Sequence, residues 1–88
     1  MRVMRIGSTA INLEKVIAIE FEERAAGCLL TFETEHTVKQ VMVPEATEEE
    51  TMTAMMTRIN KPEHFNSTHF DLMVAISAVR RERKERMQ

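Results

Sequence analysis

The chain has 88 residues, 43% of them apolar, with 12 basic and 14 acidic side chains, a net charge of −2 and one cysteine. That length makes a single domain, residues 1–88, with a thin core, because a chain this short buries only about 60–65% of the surface its unfolded form exposes. The near-neutral balance excludes bulk attraction to nucleic acid or membrane, and Cys28 alone excludes an internal disulfide.

The first half reads as short strands. Residues 3–6 and 9–13 flank a Gly7-Ser8 turn, and residues 16–22, 28–33 and 37–43 follow in close succession. In the third strand Ile17, Ile19 and Phe21 share a face by the period of two, as do Cys28, Leu30 and Phe32 in the fourth. Setting Phe21 opposite Leu30 and Ile19 opposite Phe32 fixes the hairpin register and leaves Arg24-Ala25-Ala26-Gly27 as its loop, with Gly27 free to turn left-handed. In the fifth strand Val38 falls on one face and Val41 and Val43 on the other, so bringing all three inward requires a bulge.

After Pro44 the pattern changes to helix. Thr47 with Glu50 three residues on forms a capping box, and Glu48, Glu49 and Glu50 suit the positive end of a helix dipole. Met52, Met55, Met56 and Ile59 then fall at i, i+3, i+4 and i+7, one apolar stripe, and Asn60-Lys61-Pro62 ends the helix. A second helix is expected to open at Ser67 or Thr68, the latter with Asp71 as a weaker capping box. Leu72, Met73, Val74, Ala75, Ile76, Ala78 and Val79 cover nearly every side of it, which calls for burial all round. A strand over residues 72–76 is the competing assignment, disfavoured because nothing breaks the run into Arg80. The fold class is therefore α+β: an antiparallel β-meander of four to five short strands over residues 3–43, followed by helices over about 48–60 and 68–86.

The order Ile11-Asn12-Leu13-x-x-Val16-x-x-Ile19, followed by a hairpin ending in Leu30-Thr31-Phe32, resembles the opening of several small prokaryotic proteins built on a short β-meander. The likeness spans about the first 40 residues and carries no site residues.

Chemistry-bearing residues are sparse. The C-terminal stretch Arg80-Arg81-Glu82-Arg83-Lys84-Glu85-Arg86 carries +3 and leaves −5 on the rest, so residues 80–88 form a basic helical tail on an acidic body. Arg80, Arg81, Arg83, Lys84 and Arg86 are the candidates for phosphate-backbone contact. The interleaved glutamates and the absence of neighbouring aromatics favour the simpler reading, a solvated helix end with a Glu82–Arg86 pair.

His36, His64 and His69 lack the spacing of a zinc site, and Cys28, alternating with Leu30 and Phe32, reads as a small buried hydrophobe rather than a nucleophile. The two glycines, Gly7 and Gly27, sit at turns, so no phosphate loop is present, and no opposed carboxylate pair is visible. These absences point to a non-enzymatic protein with no cofactor and no metal.

No signal-peptide run follows Arg2 and Arg5, and the apolar stretch over residues 72–79 is far shorter than the ~20 residues of a membrane span. With one cysteine, the expected compartment is the cytoplasm. The apolar residues lie on both faces of the expected sheet and all round the second helix, more than one small body can hide. Such a surplus implies a homo-oligomer, a two-fold dimer first, with a second protein as a further possible partner. Met73, Ile76, Val79, Leu29 and Val41 are the interface candidates. The expected role is an interaction module, with nucleic-acid binding through the basic tail as the alternative.

Overall fold

The computed structural model describes residues 2–59 and 69–86. These residues form an α+β fold, with six strands and two α-helices among them and the strands in two three-stranded sheets. Strands β1 (Val3–Ile6) and β2 (Thr9–Asn12) form a tight antiparallel hairpin in which Gly7 takes φ of 60° at the turn. Leu13, expected to prolong the second strand, instead opens a 3-10 turn, Leu13–Lys15. The Asn12 side chain accepts the Glu14 N–H at 3.1 Å and starts that turn, a local bond that competes with continued extension. The bend detaches the hairpin from the strands that follow.

Strands β3 (Val16–Arg24), β4 (Gly27–Thr34) and β5 (Val38–Pro44) make the antiparallel meander, ordered β3-β4-β5. The expected register holds: Phe21 faces Leu30 and Ile19 faces Phe32. Two details differ. Arg24 pairs directly with Gly27, so the loop shrinks to Ala25-Ala26, while Gly27 does take a positive φ, 154°, that side-chain-bearing residues rarely adopt. Its role is close approach, since a Cβ there would stand 2.1 Å from the Val43 carbonyl oxygen. The bulge lies in β3, between Val16 and Ala18, while β5 pairs with β4 without interruption. Val41 and Val43 therefore lie opposite Leu30 and Cys28 on the core face, and Val38 is left 65% exposed on the other.

Helix α1 (Glu48–Ile59) begins as the capping box requires. Thr47 Oγ1 accepts the Glu50 N–H at 3.1 Å, and Glu50 Oε1 accepts the Thr47 N–H at 3.1 Å. Its buried face is Thr51, Ala54 and Met55, rotated from the expected methionine stripe, so Met52 and Met56 remain exposed. Small side chains win the buried face because they let the two helices approach closely. The expected helix stop at residues 60–62 and the Ser67 or Thr68 cap lie outside the described residues.

A strand not anticipated from the sequence, β6 (His69–Asp71), joins β1 in parallel, with Phe70 beside Met4, and completes the sheet β2-β1-β6. Helix α2 (Leu72–Arg86) follows at once, so the helix assignment over 72–76 stands and its start moves from about 68 to 72. Asp71 is the cap itself, accepting the Met73 N–H at 2.9 Å. The helix buries one face, Leu72, Ala75, Ile76 and Val79, rather than all sides, and Val74 is 58% exposed. Helix α1 packs on α2 and on β3 and β4, while α2 packs on β1 and β6. One core joins the two sheets, with Met4, Leu30, Phe32, Met55, Leu72 and Ile76 fully buried at its centre. Among the described residues no helix is long and apolar enough to cross a membrane.

Candidate docking groove beside the edge strand

Two surface features stand apart from this core, a polar corner and an apolar groove. The corner forms where β5 turns into α1. Glu45 occupies the left-handed region with φ of 57°, its N–H donating to the Ala26 carbonyl at 2.9 Å. From α2, Arg80 reaches back: its Nη2 donates to the Glu45 carbonyl at 2.7 Å, and its Nε to Glu50 Oε2 at 2.6 Å. The Arg80 guanidinium, helped by the Thr47 donors, holds the Glu50 carboxyl down to about 2 against some loss of hydration. Glu23 Oε1 accepts the Glu48 N–H at 3.1 Å, and Arg83 Nη2 donates to Glu49 Oε1 at 2.8 Å. The acidic first turn of α1 is thus spent on capping and on clasping α2.

This corner decides where the basic residues stand. Arg80 and Arg83 are held on Glu50 and Glu49, whereas Arg81, Lys84 and Arg86 are exposed and make no ion pair among the described residues. Two of the five candidate phosphate contacts are therefore already neutralised within the chain, which lowers the field the tail can offer.

The candidate interface residues divide in the same way. Ile76 and Val79 are buried in the chain's own core, and Val41 and Met73 pack against it. Leu29 lies half-buried on the outer sheet face, among Glu22 and Met42. The larger apolar exposure is elsewhere, on residues that the interface reading passed over.

That exposure is a groove of about 680 Å³ between β3 and α1, floored by Val16, Ile19 and Phe21 and walled by Met56 and Ile59. Leu13 closes one end, and Arg2 and Glu14 supply its charged rim. Ile17, swung out by the bulge, is 69% exposed, and Met56 is 46% exposed. Strand β3 is an edge strand, so the groove runs beside a row of backbone groups that no described strand of this chain pairs. The sequence signal for it was present in the methionine stripe: Met56 stays exposed at the groove wall, and Ile59 beside it packs at the margin of the core.

The remaining chemistry-bearing side chains are accounted for locally. Cys28 is fully buried, and that burial raises its thiol above the ordinary range; the hydroxyl of neighbouring buried Thr51 donates to the Thr47 carbonyl at 2.8 Å. His36 is exposed beside Glu35 at the β4–β5 turn, His69 lies in β6, and His64 falls outside the described residues. Among the described residues no three His, Cys, Asp or Glu side chains gather as a metal would need. A second hollow of about 210 Å³ between α1 and α2 is floored by Ala54, Ala75 and Ala78 and follows from their close approach. Comparison with models of protein families, with curated proteins and with solved structures finds no match to this chain.

Proposed function

We propose that the chain is a non-enzymatic, cytoplasmic interaction module that binds a second copy of itself through the groove between β3 and α1. The observation that carries this reading is the continuity of Ile17 and Phe21 on an edge strand with Met56 and Ile59 on the facing helix, an apolar cleft open to water. Isolated exposed side chains are ordinary on any surface. A contiguous strip beside unpaired backbone is favourable to cover, at about 25 cal/mol for each Å² removed from water. A two-fold dimer covers it twice over with one set of residues.

Sedimentation across a dilution series tests the reading. The wild-type chain sediments as a dimer at micromolar concentration, and Met56→Glu, which sets a charge in the cleft without touching the buried face of α1, sediments as a folded monomer. A wild-type chain that is monomeric at every concentration overturns it.

A further inference from the structure

We propose that Met56 is a site of modification by hydroperoxides, whose conversion to the sulfoxide turns the wall of the groove between β3 and α1 polar while leaving the fold in place. The effect does not depend on what fills the groove.

The chain's methionines differ sharply in their access to solvent. Among the described residues Met4 and Met55 are buried in the core and Met73 packs against it, whereas Met42, Met52 and Met56 are exposed. Met55 and Met56 are neighbours in sequence, yet one is 1% exposed and the other 46%. A helix turns by about 100° per residue, so one thioether enters the core and the next stands on the groove wall. Met52, one turn earlier, shares the outward stripe with Met56.

A thioether needs contact with the oxidant and no activating base. Its sulfur lone pair attacks one oxygen of hydrogen peroxide and the O–O bond breaks. That oxygen stays on sulfur as S=O, and the other departs as water with both protons. The sulfur gives up the two electrons that the peroxide gains, and the product is the sulfoxide. Access therefore decides which methionine reacts, and burial shields Met4 and Met55.

A flexible apolar side chain thereby becomes a polar one. At Met56 the new dipole stands beside the floor of Val16, Ile19 and Phe21. There the S=O oxygen holds water, and an apolar occupant of the groove has to strip that water away without offering a donor in return. The same change at Met42, opposite Leu29 on the outer face of the sheet, leaves the groove untouched. The buried face of α1 is Thr51, Ala54 and Met55, so oxidation of Met56 takes nothing from the core.

Treatment of the folded full chain with hydrogen peroxide, followed by peptide mass mapping, reads the selectivity. Met42, Met52 and Met56 are expected to gain oxygen roughly ten-fold faster than Met4 and Met55, with the circular dichroism spectrum unchanged. The groove is read with the neutral apolar dye Nile red in dilute protein. Its emission should fall several-fold on oxidation of wild type and be retained on oxidation of Met56→Leu, in which Met42 and Met52 still react. Leucine keeps the wall apolar and close to its native volume. Met55 reacting as fast as Met56, or loss of the helix signal on oxidation of Met56, overturns the proposal. So does a dye signal that oxidation leaves unchanged, that falls equally in Met56→Leu, or that reduced wild type does not give. A chain that is monomeric at every concentration yet shows the expected pattern supports the proposal and removes the self-association reading alone.

Discussion

Strands β3 and β5 are the two edges of one sheet, and they manage their exposure in different ways. Strand β5 carries Lys39 and ends in Pro44, two ordinary guards of a sheet edge, and its Val43 is fully buried. Its exposed Val38 lies on the outer face opposite Glu33, and Met42 lies there opposite half-buried Leu29, with the Thr31–Gln40 pair separating the two. Strand β3 has its glutamates, Glu20 and Glu22, on that outer face too, but its apolar residues turn toward α1 and adjoin Met56 and Ile59. The difference is one of contiguity more than of amount. Scattered apolar groups on β5 are surface, while the same kinds of residue on β3 line a cleft.

Substitutions on the β5 side should therefore damage the fold, and those on the β3 side should leave it intact. The largest loss is expected between the two edges, at Phe32 on the central strand: Phe32→Ala should cost about 3–5 kcal/mol in urea denaturation, because the ring is almost wholly buried and its cavity cannot collapse. Gly27→Ala comes next. A Cβ at 2.1 Å from the Val43 carbonyl forces β4 and β5 apart, and a loss of roughly 2–4 kcal/mol with a falling melting temperature should follow.

The corner that anchors the end of β5 is worth less. Glu50→Ala removes half the capping box and the Arg80 pair together, for roughly 2 kcal/mol, and Arg80→Met, whose side chain is partly solvated, for about 1 kcal/mol. Their pH dependence has a definite sign. The folded Glu50 carboxyl sits at about 2 against an ordinary 4.5, so its contribution is complete above pH 4.5 and drains away as pH falls toward 2. Acid titration of stability should accordingly be shallower over that window in Arg80→Met than in wild type. The smallest effect on the fold is expected at β3: Ile17→Thr should change monomer stability by no more than about 0.5 kcal/mol while weakening self-association.

Much of this could be read from the residues. Alternation placed Ile19, Phe21, Leu30 and Phe32 on one face in the right register, and Thr47 with Glu50 marked the start of α1 by a bond pattern that needs no tertiary context. What escaped depends on partners distant in sequence. Three residues, His69–Asp71, make a parallel strand only because β1 offers an edge 66 positions earlier, Val3 against His69. The buried face of α1 was set by which side chains let α2 approach, and Thr51 and Ala54 outweighed the more apolar Met52 and Met56. The groove was half legible: its wall lay in the methionine stripe, but the bulge that exposes Ile17 has no signature in the strand's composition. Arg80 and Arg83 looked like open charge because the glutamates that hold them lie thirty or more positions away.

Amide hydrogen exchange followed strand by strand over a hundred-fold range of protein concentration tests the central claim most directly. The account predicts that amides of β3 become protected as concentration rises, while those of β5, the other edge of the same sheet, keep one rate throughout. Identical behaviour of the two edges, or concentration-dependent protection confined to β5 or to the basic end of α2, would contradict it.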